Sequence, residues 1–315
     1  MLTPTSSTRG SFRRWITPSL PRDRDVVIRY GVTIAGLVLA CVVAGAEGIR
    51  ATRNLQWPPG QDFSRDISAA ESIRNGHPLS DPAYEGEWLW YNPLVPAIVA
   101  GTSSVLKMPI PLVYAHLGVY ANLIVPLGLF VLLAVMFDAW AALFAVVGLL
   151  FLVPAREPAW FCATYSPWLL PIHFVQGLFY FALLAVWLAW RKSTVSGACL
   201  AGALAGLVLL GHTAPFLVLI GAIGIGVLLP LVFGLTSGKG TRSTSVKLSS
   251  LLWFALVASI VSAPYLASIL GHYHAHVLNG SPSSWVPSEL SAEGLPRYLR
   301  YLLTPTTAGL VAAAG

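Results

Sequence analysis

Charged side chains are scarce in this sequence, and their scarcity excludes a large class of proteins. Asp, Glu, Lys and Arg make up 10% of the 315 residues, whereas 56% are hydrophobic. A water-soluble domain carries about 25% charged residues. The shortage argues against a soluble domain and, with repeated long apolar runs, predicts a polytopic membrane protein. Because a lipid core offers the backbone no hydrogen-bonding partners, the expected fold class is all-α.

Cysteine is also rare, and negative charge is outnumbered. The 3 cysteines, at positions 41, 162 and 199, have neither paired nor metal-ligand spacing, so no disulfide framework is predicted. The net charge is +6, and arginines are concentrated at the N-terminus. A basic segment beside an apolar run usually sets orientation or contacts anionic lipids. Residues 1–28 are therefore expected to form a disordered cytoplasmic tail, and nucleic acid is not an expected partner.

Long apolar runs within residues 29–315 predict a transmembrane domain of about eight helices. These runs are residues 29–48, 110–137, 139–153, 168–190, 195–211, 216–235, 248–270 and 298–315. Residues 93–106 form a further run of about 14 residues, shorter than the roughly 20 that a span needs. This run is expected not to span.

The positive-inside rule sets the orientation. With a cytoplasmic N-terminus and a non-spanning 93–106 run, the basic pairs and clusters at 191–192 and 239–247 fall in the cytoplasm. Residues 49–109 then form a first extracytoplasmic loop carrying juxtamembrane helices, and residues 271–297 form a second large one. These loops hold most of the remaining carboxylates, so polar chemistry is expected on the outer face.

The first loop contains a short helical pattern that begins at Asp62 and stops before Gly76. Asp62 and Asp66 are separated by one helical turn and would share a face. Two such acids suit a general base with a helper or metal ligand. Asp62 is equally suited to capping the helix.

The order of motifs in this loop resembles the first outer loop of the C-type integral membrane glycosyltransferases, the GT-C superfamily. The resemblance covers about residues 26–235 and includes an Asp-Phe pair, an Ala-Ala pair and a proline-rich helix start. Its residues are Asp62-Phe63, Ala69-Ala70, Gly76-His77-Pro78, Tyr91-Asn92-Pro93-Leu94-Val95-Pro96 and the Gly202–Leu207 run before His212-Thr213. Asn92 departs from the pattern where a proline is usual, and Ile67 departs where an aromatic residue is frequent.

The resemblance implies an enzyme of the bacterial plasma membrane with an extracytoplasmic active site. It would move a sugar from a polyprenyl phosphate to a glycan, lipid or protein hydroxyl. Asp62 is the first choice for the general base, and Asp66 is the second choice, or a helper able to bind a divalent cation. The pattern requires no other cofactor and names no metal ligand set.

Cationic and hydrogen-bonding residues are candidates for the phosphate of the donor: Arg65, Arg74, Arg156, His212 and Arg297. Arg65 and Arg74 are equally able to pair with Asp66 and Glu71, and Arg156 with Glu157. His212 follows an apolar helix and also fits a packed or capping histidine.

Aromatic residues form a second group of candidates. Trp88, Trp90 and Tyr91 precede the apolar 93–106 run, where they suit either the membrane interface or stacking against a sugar or prenyl chain. The histidines at 272, 274 and 276 alternate, so an extended segment would present them on one side. That arrangement fits a metal site, an acceptor site or an ordinary surface.

Two other functions remain open at this point. One is a transporter or flippase for a lipid-linked glycan, which is disfavoured because the acids lie in a loop and no internal repeat is evident. The other is a non-catalytic subunit of an envelope-assembly complex. GT-C members usually continue with further helices, so we also expect this chain to be a fragment or a reduced relative.

Overall fold

The computed structural model describes residues 24–60, 62–152, 166–192, 194–232 and 240–275. The described chain is helical, and its β pairing is an isolated bridge between Ser80 and Trp88. This confirms the expected all-α class. The helices are α1 (Arg24–Thr52), α2 (Asp62–Arg74), α3 (Leu94–Leu106), α4 (Ile110–Ala121), α5 (Ile124–Met136), α6 (Ala139–Val147), α7 (Pro171–Lys192), α8 (Val195–Gly211), α9 (Thr213–Val232), α10 (Gly240–Val261) and α11 (Ala263–Leu266), with π-helical turns at Gly148–Leu152 and Ala267–His272.

Within the described ranges, three helical segments are long and apolar enough to cross a membrane: Val27–Thr52, Ile110–Met136 and Pro171–Lys192. A fourth is available if Ser249–Val261 and Ala263–His272, which meet at a 73° bend, count as one span. Apolar side chains on these segments and their neighbours point outward, as lipid contact requires; Leu39 is 65% exposed and Phe144 68%.

The prediction of about eight spans is wrong for the described residues, because it counted apolar runs that are shorter than a span. The helices at Ala139–Phe151 and Val195–Gly211 are 10–17 residues long. At 1.5 Å per residue they fall short of a hydrocarbon core about 30 Å thick. The predicted span at 298–315 lies outside the described residues. The 93–106 run was correctly separated from the spans, since α3 has 13 residues.

Helix α2 forms where the sequence predicts it, and glycine ends it. The amide of Gly76 donates to the Ile73 carbonyl, and the amide of His77 donates to the Ser72 carbonyl. This pair of bonds is a Schellman motif, which needs a left-handed residue at its centre. Gly76 supplies that conformation with φ of +88°. The stop turns the chain away from α2 and into the loop that faces it.

The apolar face of α2 is buried against the two helices that follow. Phe63, Ile67 and Ala70 lie in one core cluster with Val95, Val99, Ile110 and Tyr114 of α3 and α4. Leu169 and Phe174 join this cluster from the start of α7. The first loop is thus a packed cap on one end of the helical body.

A close backbone contact joins α4 to the segment before α7. A Cβ built on Gly118 would lie 2.4 Å from the Pro167 carbonyl oxygen and 2.5 Å from the Leu169 nitrogen. Nearby, the buried amide of Asn122 donates to the carbonyl oxygens of Ser166 and Trp168 at 2.8 and 2.9 Å. Only glycine allows this approach, so the orientation of α7 against the cap depends on it.

We expect Gly118→Ala to destabilise the protein by roughly 1–3 kcal/mol, because both clashing groups are backbone and neither can rotate away. Gly101→Ala is the matched control, since Gly101 is also in a helix but has nothing within 4 Å of its added Cβ. Thermal unfolding of both variants in detergent checks the expectation. Equal melting temperatures for the two would contradict the packing described.

Candidate functional site

A cleft of about 390 Å³ lies between α2, the loop that follows it and the start of α3. Its walls combine carboxylates, one arginine, hydroxyl groups and aromatic rings. They are Ser64, Arg65, Asp66, Ser68, Ala69, Asp81, Pro82, Ala83, Tyr84, Leu89, Trp90, Tyr91, Asn92 and Pro96. The sequence-predicted residues Arg65, Asp66, Trp90 and Tyr91 are therefore brought together.

Asp66 is the unusual side chain of this cleft. It is 1% exposed, yet only one of its oxygens is paired: Arg65 donates from Nε to Oδ1 at 2.8 Å, and Arg65 Nη2 lies 2.8 Å from the same oxygen in an ion pair. Oδ2 is buried and has no hydrogen-bond partner among the described residues. Burial raises the pKa of Asp66 to about 6, against the opposing effect of Arg65. The carboxylate is thus mostly ionised at neutral pH and is a good proton acceptor.

Tyr114 and Phe63 hold the backbone beneath Asp66. The Tyr114 hydroxyl donates to the Asp66 carbonyl oxygen at 3.1 Å, and the Tyr114 ring packs edge-on to Phe63 with centroids 5.8 Å apart. Both rings are fully buried. Tyr114 is a residue that sequence reasoning missed, because it lies in an apolar helix where a tyrosine carries no signal of its own.

Arg65, Tyr91 and His212 form a stack beside Asp66. The guanidinium carbon of Arg65 lies 3.6 Å from the centroid of the Tyr91 ring, a cation–π contact. His212 meets the same ring edge-to-face at 6.4 Å. Burial lowers the pKa of His212, and the nearby Arg65 charge lowers it further, so the imidazole is neutral at neutral pH. Arg65 is therefore committed to Asp66 and Tyr91.

His212 also has a structural role. It ends α8, and its Nδ1 accepts a hydrogen bond from the Ala214 amide at the start of α9, at 3.2 Å. This supports the capping alternative over direct phosphate contact. Among the described residues of the site, the histidine packs against the Tyr91 ring.

Asn92 ties the first loop to the body of the protein. Its buried side-chain amide donates to the Leu209 carbonyl at 2.6 Å and to Thr213 Oγ1 at 3.3 Å. It thereby satisfies a carbonyl in the last turn of α8. A second tie comes from Ser268, whose hydroxyl donates to the Leu89 carbonyl at 2.6 Å. In the sequence, Asn92 was noticeable because it stands where the GT-C motif usually has a proline.

The loop between α2 and α3 folds back on itself and forms the far wall of the cleft. The Leu89 amide donates to the Leu79 carbonyl at 2.6 Å, and the Asp81 amide to the Glu87 carbonyl at 2.9 Å. Asp81 is 8% exposed, and its Oδ1 accepts from the Ala83 amide at 2.7 Å. Asp81 was not selected from the sequence, where it appeared as one acid among several.

The C-terminal part of the described chain contacts the outer edge of this loop. His272 Nε2 lies 2.9 Å from Glu87 Oε2, and the His272 ring stacks on Trp88 at 5.4 Å. The Tyr273 hydroxyl donates to the Trp88 carbonyl. Trp88 is thus on the outside of the cleft wall, not in its lining. His276 lies outside the described residues.

Several predicted residues lie away from the cleft. Asp62 begins α2 with an exposed side chain that is not part of the lining. Arg74 pairs with Glu71 and donates to Ser103 at 3.2 Å, which supports the local-pairing alternative. Arg156 and Arg297 lie outside the described residues. Within the described ranges, no three His, Cys, Asp or Glu side chains converge as a metal site.

The raised pKa of Asp66 gives the protein a specific pH dependence of stability. An acid whose folded-state pKa is about 6, above an ordinary 3.8, binds its proton more tightly in the folded state. Stability therefore falls as the pH rises from about 4 to about 6. Asn cannot ionise, so we expect Asp66→Asn to gain on the wild type across this window, by up to roughly 3 kcal/mol.

Thermal unfolding at a series of pH values from 4 to 8 measures the difference in stability between Asp66→Asn and the wild type. Asp62→Asn, one turn earlier and exposed, is the control and should follow the wild type. If the stability of Asp66→Asn minus that of the wild type stays constant or falls as the pH rises from 4 to 6, burial does not raise the pKa of Asp66.

Comparison with known proteins identifies no relative: no family model, no curated protein and no solved structure matches this chain.

Proposed function

We propose that this chain is a membrane glycosyltransferase that moves a sugar from a polyprenyl-phosphate donor to a hydroxyl group of a glycan, lipid or protein, with Asp66 as the general base. The observation that carries the proposal is the carboxylate of Asp66, ionised, buried and paired on one oxygen only. Perturbed acids in clefts are candidates for catalysis. The motif resemblance of the first loop supplies the substrate class.

The proposed reaction combines one proton transfer with the exchange of one bond at C1 of the donor sugar. The carboxylate of Asp66, whose buried Oδ2 would have to become accessible to the acceptor, accepts the proton of the acceptor hydroxyl as the hydroxyl oxygen bonds to C1 of the donor sugar. The bond between C1 and the phosphate oxygen breaks, and its electron pair leaves with the polyprenyl phosphate. A base with a pKa of about 6 suits this proton transfer near neutral pH. No metal is needed to balance the step, and a divalent cation beside the phosphate would be compatible with it.

Asp66 is preferred to Asp62 on geometric grounds. Asp62 is exposed to solvent, where water competes for the acceptor proton, and it does not line the cleft. Asp62 instead influences the proposed base electrostatically, because its negative charge helps raise the pKa of Asp66. The two carboxylates thus keep distinct roles on one helical face.

The rest of the cleft suits a sugar better than a phosphate. Tyr84 and Trp90 offer aromatic faces, and Ser64, Ser68 and Asp81 offer polar groups. Among the described lining residues the positive charge is that of Arg65, which Asp66 already engages. The donor phosphate would then contact cations outside this lining, for which Arg156 and Arg297 remain the sequence-based candidates.

The charge distribution along α7 supports an extracytoplasmic cleft. Phe174, in the first turn of α7, packs with the α2 cluster, whereas Arg191 and Lys192 form the last turn. These ends are about 33 Å apart for a 22-residue helix. If the basic end faces the cytoplasm, the cleft lies on the opposite face of the membrane.

A second candidate is a transporter of lipid-linked glycans, and one observation favours it. The Ser249–Val261 and Ala263–His272 pair is bent by 73°, and broken helices of this kind build the binding sites of secondary transporters. The bent segment also contacts the cleft wall through Ser268. A proton-accepting carboxylate could couple such transport to a proton gradient.

We expect Asp66→Asn to lower the rate of sugar transfer by about 10²–10⁴-fold, the usual contribution of a general base. Purified protein in lipid vesicles, given labelled polyprenyl-phosphate sugars and a membrane acceptor extract, measures it. Asp62→Asn is the matched control and should retain most of the activity, because its carboxylate acts only through Asp66.

The same vesicles separate the two candidates. Label that moves across the bilayer while staying on its lipid, with no transfer, would favour the transporter. Transfer that survives in Asp66→Asn but is lost in Asp62→Asn would return the base to Asp62.

A further inference from the structure

We propose that Tyr91 is a positioning residue: its ring fixes the guanidinium of Arg65 on one oxygen of Asp66, which leaves the other oxygen free to take the acceptor proton. The inference rests on the proposed function for its chemical meaning. Its geometry is independent of that function, and so is its test.

The pairing between Arg65 and Asp66 is one-sided. An arginine opposite a carboxylate commonly binds both oxygens through two parallel hydrogen bonds. Here Nε donates to Oδ1 at 2.8 Å, Nη2 lies 2.8 Å from the same oxygen, and Oδ2 is without a partner among the described residues. A two-oxygen pairing would occupy the lone pairs that the proposed reaction needs.

The Tyr91 ring holds the guanidinium plane in that position. At 3.6 Å from the ring centroid to the guanidinium carbon, Arg65 is in van der Waals contact with the ring face. Arg65 is neighbour to Asp66 in sequence, so its side chain has to turn back over α2 to reach Oδ1. A guanidinium released from the ring would be free to rotate toward Oδ2 or into the open cleft, where its side chain is already 31% exposed.

The ring itself is fixed from behind. His212 packs edge-to-face with it at an interplanar angle of 86°, and Trp90 packs edge-to-face with it at a centroid distance of 5.7 Å. The next residue, Asn92, is bonded to the carbonyl of Leu209. Three parts of the chain, the first loop, α8 and the α8–α9 junction, therefore determine where Arg65 sits.

The alternative is that Tyr91 only stacks against the substrate or lines the membrane interface. In that case its removal would affect binding and leave the Asp66 carboxyl unchanged. The proton affinity of Asp66 in the absence of substrate therefore distinguishes the two roles.

The test is an infrared titration of the purified protein in detergent. The C=O stretch of the protonated Asp66 carboxyl is assigned by its loss in Asp66→Asn, and its midpoint should lie at about pH 6 in the wild type. Tyr91→Phe keeps the ring and should leave the midpoint unchanged. Tyr91→Leu and Tyr91→Met remove the ring and should raise the midpoint by about one pH unit, because the positive charge is no longer held at Oδ1.

A double-mutant cycle tests whether the Tyr91 ring acts on Asp66 through Arg65. Arg65→Gln alone should raise the midpoint, and adding Tyr91→Leu should then change nothing further, because the ring acts through Arg65. Removing a ring also hydrates the cleft, which lowers the midpoint. A fall or no change in both Tyr91→Leu and Tyr91→Met, or an additive shift in the Arg65→Gln background, would overturn the proposal.

Far-ultraviolet circular dichroism monitors the fold of each variant. Because two variants lack the ring, the test can still be read if one of them does not fold. Transfer assays on the same set are read separately. If sugar transfer is never seen while the infrared shifts occur, the proposed function fails and the positioning of Arg65 by Tyr91 stands.

Discussion

The burial of one ionised carboxylate is the constraint around which the first loop is organised. Placing Asp66 at 1% exposure costs several kcal/mol, which a single arginine on one oxygen offsets only in part. A protonated or apolar residue would fill the position at lower cost. Retaining a destabilising charge is typical of sites selected for chemistry rather than for stability. The interactions around Asp66 are then the compensation that the fold supplies.

That compensation comes from distant parts of the chain. Tyr114 of α4 holds the Asp66 backbone, Asn92 ties the loop to Leu209 at the end of α8, and Ser268 bonds the Leu89 carbonyl from beyond the 73° bend. The bonds from Asn92 and Ser268 cross 117 and 179 residues of sequence. The site therefore exists only after the helices have packed, and its geometry is a property of the whole described body.

This dependence explains which features the sequence predicts and which it does not. Local signals were sufficient for α2, for its stop at Gly76 and for the short α3, because turn chemistry and run length are encoded nearby. For the described residues the number of spans was overestimated because short apolar runs such as 195–211 were counted as spans, and because composition does not reveal where a helix bends, as near Ser262. The sequence ranked Asp62 above Asp66 as the candidate base and could not show that Asp66 lines the cleft, since burial of one helical face depends on α3, α4 and α7. Asn92 was noticed as a departure, but its partner was beyond the reach of any local pattern.

The concentration of acids in one early loop follows from the same physics. In a chain with 10% charged residues and apolar helices on every side, a carboxylate has to lie where water or a charged partner can reach it. A loop packed on the end of the helical body is such a place, and it still offers enough apolar cover to raise a pKa. The proposed substrate, a polar head on a lipid chain, would meet the protein at that same boundary. The position that makes Asp66 tolerable for the fold is thus also the position where a lipid-linked substrate would present its reactive bond.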